Sequence, residues 1–365
     1  EVSRHSPRTF VLREFEHPIV QAGLLFFNGL REVDLREKGF GHHIPALLAS
    51  KGKAQMCQGG SAKLAQALVE VVEEAGGTVL LQTGPTEILV ERGRAVGVET
   101  KAGDRLIARH FVASALNPQQ TFLELIVPEA LPKAWRDKAA AFRYNILAPL
   151  FGLYLELDEA PAYRVAEHYP HLNQAFMTIM GLEGPADFDA MIHHHEAGSM
   201  PPTITWGSAP SLFDPSQAPA GKHTAFMWEK LPYALGGDPR QWDQIKEEHG
   251  RKMLSAWSEH APNLQDVLRC SFVRSPLDVE RNLCNMRGGD LLVGAFSGDQ
   301  VGYHRPFAGA GGYRGHLKGL YLCGSSSHPG GNITGLPGYN CAQVLLADLQ
   351  IDSPWVAESL HDRLP

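Results

Sequence analysis

The densest chemical signal in this sequence lies at residues 319–342. Gly319-Leu320-Tyr321-Leu322-Cys323-Gly324 reads as a short apolar strand ending in glycine. A Gly/Ser loop follows, Ser325-Ser326-Ser327-His328-Pro329-Gly330-Gly331-Asn332-Ile333-Thr334-Gly335-Leu336-Pro337-Gly338, and then a helix predicted at about 339–349. Loop amides and a helix N-terminus facing one cleft favour an anion or a polar ring, because unpaired N–H groups and the helix dipole both attract negative charge. Small residues let that backbone approach a flat ligand closely. A Gly-rich surface loop without a ligand is the competing reading, and the strand-loop-helix context argues against it.

Other constellations point less sharply. His193-His194-His195-Glu196 has metal-ligating residue types, but no CxxC or HExxH companion accompanies it. A solvated loop or cleft rim is expected there, and no metal. Tyr144, Phe151, Tyr154, Trp206, Phe226 and Trp228 are candidates for an apolar substrate pocket, with Tyr144, Tyr154 and Trp206 foremost; core packing is the plainer alternative for most of them. No GxSxG occurs, so hydrolase chemistry has no support.

These residues need elements to hold them. Ser61 is expected to cap a helix with Leu64, Leu68 and Val71 or Val72 on one face, ended by Gly76-Gly77. A strand is predicted at Thr78-Val79-Leu80-Leu81. Strands at 87–90 and 95–99 flank a hairpin turn at Arg92-Gly93-Arg94, and a further strand follows at 104–108. Residues 110–115 form a nearly continuous apolar strand, as expected where both faces are buried. Further along, 151–157, 201–206 and 223–228 read as strands, and 243–260 as a helix with Ile245, Met253, Leu254 and Trp257 inward.

Composition bounds the function. The 365 residues suffice for two domains. Apolar residues make up 44% and charged residues 20%, and the net charge is −7, which with no Lys/Arg-rich run argues against a nucleic-acid partner. Five cysteines without metal-like spacing read as reduced thiols, and the expected compartment is the cytoplasm. No apolar run reaches the roughly 20 residues of a transmembrane helix. The chain opens on Glu1-Val2-Ser3 with neither an initiator Met nor an apolar leader, which reads as processed or truncated.

The 319–342 segment resembles the C-terminal FAD-binding motif of the phytoene-desaturase-like branch of the flavin amine-oxidase superfamily, approximately G-L-Y-L-x-G-x-x-x-H-P-G-G-G-x-x-G-x-x-G, with Asn332 where a Gly is common. Gln58-Gly59-Gly60-Ser61 through Leu64, the meander at 87–98 and the strand at 111–115 resemble the same family in order and spacing. Pro85 stands where the family usually carries a Val whose backbone meets the adenosine, and proline has no N–H to donate. The resemblance implies an FAD-dependent oxidoreductase of the desaturase or dehydrogenase type acting on an apolar substrate. It implies cofactor contacts from Gly324, Ser325, Gly330, Gly331, Asn332, Thr334, Gly335 and Leu336. His328 and Arg305 are weak catalytic candidates, each with a structural alternative. An apolar substrate would also allow peripheral contact with a membrane.

The implied fold is α/β: a glutathione-reductase-like FAD-binding domain from 56–120 and 291–350, and a substrate domain from 1–55 and 121–290 built on a mixed or antiparallel sheet with helices, with 351–365 as a tail. The family's opening G-x-G-x-x-G is absent from this sequence, and Gly309-Ala310-Gly311-Gly312 follows no strand. The FAD-binding domain is therefore expected to be incomplete as it stands. A second polypeptide carrying the dinucleotide-binding segment, or a homo-oligomer, would complete it. A non-catalytic subunit that scaffolds a partner flavoprotein or binds lipid is the alternative.

Overall fold

The computed structural model describes residues 2–29, 33–49, 56–331 and 333–352. Its helices are α1 (Pro7–Glu14), α2 (Pro18–Gly29), α3 (His43–Ala49), α4 (Ser61–Glu74), α5 (Lys133–Ala140), α6 (Pro185–Ala197), α7 (Trp242–His260), α8 (Leu264–Val267), α9 (Pro276–Asn282) and α10 (Leu336–Asp348). Its strands are β1 (Pro85–Glu91), β2 (Arg94–Thr100), β3 (Arg105–Ile107), β4 (Val112–Ser114), β5 (Leu150–Leu157), β6 (Thr178–Met180), β7 (Thr205–Ser208), β8 (His223–Lys230), β9 (Leu268–Arg274) and β10 (Leu320–Leu322). The chain forms two compact units, Glu1–Leu81 with Tyr144–Leu291, and Gln82–Arg143 with Leu292–Pro365.

The first unit is built on a five-stranded antiparallel sheet in the order β6-β7-β8-β5-β9. Alternation along β5 sends Phe151, Leu153, Leu155 and Leu157 to one face, where they join Ala225 and Met227 under Trp242, Met253 and Trp257 of α7. Both indoles are fully buried and both find acceptors: Trp242 Nε1 donates to the carbonyls of Pro232 and Tyr233, and Trp257 Nε1 to the Tyr163 hydroxyl. On the opposite face, Trp206 and Trp228 pack with Val11, Leu25, Phe188, Met191 and Ile192 from α1, α2 and α6.

The second unit holds the antiparallel meander β1-β2-β3 and a two-stranded parallel pair, β10 beside β4, with Leu320 opposite Val112 and Leu322 opposite Ser114. The β1–β2 turn is Arg92-Gly93, both at positive φ (48° and 75°), the backbone that matches the twist of a two-residue hairpin. Ile88, Phe122, Ile126, Leu131, Phe307, Leu320 and Leu322 form its core.

The structure corrects two expectations about local elements. Residues 78–81 form no strand, and Leu80 and Leu81 are exposed. Helix α4 is capped by the backbone of Gly60 at φ 92°, with Ser61 already inside the helix. The division falls at 81/82, 143/144 and 291/292. Residues 121–143 therefore pack in the unit of the meander through Phe122, Ile126, Leu131 and Ala139, while 56–81 group with the five-stranded sheet. Most of the 351–365 tail lies outside the described residues.

Candidate functional site

The loop predicted to bind a ligand leaves β10 at Cys323, whose N–H continues the parallel ladder by donating to the Ser114 carbonyl at 2.9 Å. Gly324 comes next because nothing larger fits: a Cβ there would stand 2.0 Å from the Ala115 carbonyl oxygen. Gly330 adopts φ 108° against the ring of Phe296. Gly335 adopts φ 66° at the N-cap of α10, and Pro337 occupies the first turn. The Thr334 hydroxyl oxygen accepts from the Leu336 N–H at 3.3 Å, Pro337 has no N–H to donate, and a Cβ at Gly335 would meet open space. Thr334, Gly335 and Leu336 are exposed, Gly331 is half-buried, and Asn332 lies outside the described residues.

Arg305 organises this loop from beneath. Its side chain is fully buried, and its guanidinium donates to the carbonyls of Leu292, Val293, Gly294 and Ala295 at 3.2–3.5 Å and to that of Ser325 at 3.0 Å. It also lies 4.3 Å from the ring centroid of Phe296. One cation thus ties 292–296 to the start of the loop and holds Val293 at φ 54°, a costly conformation for a β-branched residue. Arg305 is enclosed by its own fold and acts as a positioning residue. No sequence signal marks this role, because Leu291-Leu292-Val293-Gly294-Ala295-Phe296 reads as an ordinary apolar run. His328 is exposed, and its carbonyl accepts from the Tyr313 hydroxyl, which in turn accepts from Asn340.

These residues fit a flavin dinucleotide. The dipole of α10 favours an anionic group at its N-terminus, Gly335 leaves open space there, and Ser327 Oγ is buried with no hydrogen-bond partner among the described residues.

The first unit places the aromatic candidates in two groups. Tyr154, Trp206, Phe226 and Trp228 share one face of the sheet. Tyr154 stacks on Phe272 (4.7 Å, 10°), Trp228 Nε1 donates to the Tyr154 hydroxyl, and Trp228 meets Trp206 edge-on. Phe272, which sequence reasoning passed over, is half-exposed and leaves this row open at one end. Phe151 points to the other face and belongs to the core. Tyr144 lines a separate cavity of about 380 Å³ with His195, Pro232 and Tyr233. The Gly59 amide is engaged by the Asp214 carboxylate at 2.7 Å.

The histidine run is helical rather than a solvated loop, and it turns His195 inward. Among the described residues no group of three or more His, Cys, Asp or Glu side chains is placed to hold a metal. The His195 Nδ1 donates to the Met191 carbonyl, and Nε2 is buried without a partner among the described residues. Burial, aided by Lys230 and His194, lowers its pKa from 6.5 to about 4. The unfolded chain therefore binds a proton that the folded chain refuses, so stability falls as pH drops from about 6.5 toward 4. The loss reaches about 3 kcal/mol. Urea titrations across that window should show a shallower pH slope for His195→Gln; an unchanged slope would rule His195 out as its source.

Comparison with known proteins places this geometry. No family model matches the chain. It is 29% identical over 318 residues to pyridine nucleotide-disulfide oxidoreductase domain-containing protein 2 of Mus musculus, covering 85% of this chain and 54% of the relative. It is 27% identical over 357 residues to a limonene dehydrogenase subunit of Castellaniella defragrans (93% and 64%). It is 24% identical over 302 residues to the neurosporene-forming phytoene desaturase of Cereibacter sphaeroides (81% and 54%). The chain thus spans about half the length of several curated relatives it matches. Cyclohexylamine oxidase from Brevibacterium oxydans shares the fold, with a TM-score of 0.54 and 13% identity over 96% of this chain and 69% of that one. A Pyrococcus furiosus protein does so at a TM-score of 0.53 and 14% identity, over 97% and 69%. The chain is similar in sequence to an oxidoreductase-domain protein, a limonene dehydrogenase subunit and phytoene desaturases, and it shares its fold with an amine oxidase.

Proposed function

We propose that this chain forms the flavin-closing and substrate-binding parts of an FAD-dependent oxidoreductase acting on an apolar substrate, desaturation being the reaction that fits best. The observation that carries this reading is the glycine-rich loop from Gly324 running into the N-terminus of α10 at Gly335, held from below by Arg305. FAD, when bound, supplies the hydride-accepting chemistry. The backbone at Gly324, Ser325, Gly330, Gly331, Thr334, Gly335 and Leu336 would hold the cofactor, with the α10 N-terminus favouring its anionic part. The row of Tyr154, Phe226 and Phe272 offers an apolar surface that excludes water from a substrate.

We further propose that a G-x-G-x-x-G segment, on the same polypeptide or another, completes the cofactor domain. A relative named as one subunit of a dehydrogenase supports this, as does the open outer edge of β4, which pairs with β10 alone among the described strands. Among the described residues no helix is long and apolar enough to cross a membrane.

The test is the visible spectrum of the purified protein after addition of FAD, with and without a co-expressed dinucleotide-binding segment. Stoichiometric flavin absorption with the segment, bleached anaerobically by an apolar substrate, is expected. Flavin that binds but is never reduced would favour a non-catalytic subunit, and a protein that stays colourless in both cases would refute the flavin reading.

A further inference from the structure

The two cysteines that bracket the cofactor loop are the candidate here. Cys323 closes β10, and Cys341 lies in the second turn of α10, almost fully buried. They pack in one small cluster with Tyr321 and Leu345. The first turn of α10 sits directly on the strand end: a Cβ at Gly338 would be 4.0 Å from the Cys323 carbonyl oxygen, and Gly338 and Cys341 share a helix face at i, i+3. All five cysteines are free.

We propose that Cys323 and Cys341 are a redox-sensitive dithiol, closed by a hydroperoxide to a disulfide that ties together the two ends of the 324–340 loop. The roles are asymmetric. Cys323 is half-buried and therefore reachable, whereas Cys341 is enclosed. Interaction between the two thiols lowers the pKa of Cys323 and, with burial, raises that of Cys341, so Cys323 is the better thiolate and Cys341 keeps its proton. The Cys323 thiolate attacks the peroxide, the O–O bond breaks, Cys323 becomes a sulfenic acid, and the departing oxygen takes a proton. The Cys341 sulfur then attacks the sulfenic sulfur, the S–S bond forms and water leaves. In sum, two thiols lose two hydrogens and one hydroperoxide becomes an alcohol, or water, plus water. The chain's own thiols carry this inference, which therefore stands apart from the oxidoreductase reading.

The experiment treats the purified protein, with any partner it retains, with hydrogen peroxide, and maps thiols by peptide mass spectrometry. One cross-linked species joining the Cys323 and Cys341 peptides is expected, lighter by two hydrogens and reversed by dithiothreitol. Cleavage by subtilisin at the exposed residues 333–336 should slow severalfold on oxidation and recover on reduction. In Cys341→Ser, the Cys323 peptide should gain oxygen and no cross-link should form; in Cys323→Ser, Cys341 should remain a thiol. Two results overturn the proposal: Cys323 oxidised to sulfinic acid in the unmodified protein with Cys341 untouched, or both thiols surviving a dose that oxidises exposed Cys270 and Cys284. The unmodified protein decides the question even where a variant fails to fold.

Discussion

Replacement of Arg305 by Met is expected to cost about 3–5 kcal/mol and to abolish flavin retention. Met approximates the volume of the lost side chain, so the effect reports lost donors more than a cavity. Five carbonyls in 292–295 and Ser325 lose the guanidinium as a donor, and each buried polar group that loses its partner costs about 1–3 kcal/mol, partly offset by relaxation. Val293 then has nothing to hold it at φ 54°, and the segment is expected to relax away from Ser325. Arg305→Lys should recover little, because one compact ammonium cannot reach carbonyls spread across a planar fork. Urea denaturation measures the stability, and gel filtration followed by visible absorption measures bound flavin. If Arg305→Met binds flavin normally with stability within about 1 kcal/mol of the parent, the guanidinium does not organise the loop.

The parts of this molecule written by local rules were legible in the sequence. The Arg92-Gly93 turn, the alternation of Leu153, Leu155 and Leu157 along β5, and the strand-loop-helix at 320–348 all follow from periodicity and glycine placement. The parts that depend on distant partners were not legible. β9 carries polar Arg269 and Ser271 and presents few buried side chains, so only its pairing with β5 defines it. His195 looked solvated beside His193 and His194, because three consecutive residues on a helix face three directions and only packing decides which is inward. Arg305 read as a contact to substrate or cofactor, or as the partner of an acid, for the same reason: its acceptors are carbonyls 10–20 positions away, and carbonyls leave no mark in a sequence. Thr78-Val79-Leu80-Leu81 failed in the opposite direction, having strand composition but an irregular, exposed backbone course.

Charging the apolar face of α4 is expected to weaken assembly with the dinucleotide-binding segment by at least about 3 kcal/mol, or roughly 100-fold in affinity. Helix α4 has the pattern of a buried element but none of the burial. No residue in it is buried, and Leu64, Leu68, Val71 and Val72 are all exposed, Leu68 and Val71 to 60% each. An isolated helix of 14 residues is marginal in water, so α4 owes its stability to packing against something. Burying a Leu or Val side chain contributes about 1.5–3 kcal/mol, and a carboxylate at the same position adds a desolvation penalty. Leu68→Glu with Val72→Glu should therefore separate two cases. On a finished surface the pair is nearly neutral, within about 0.5 kcal/mol per substitution, and raises solubility. Against a packed segment it breaks the assembly, and flavin retention falls with it. The measurement is titration of the G-x-G-x-x-G segment onto parent and variant chains, read by native mass and by flavin absorption, with the surface change Glu70→Gln as a control. Equal affinity and equal flavin content in all three would remove α4 from the proposed contact and leave the open edge of β4 as the place to look.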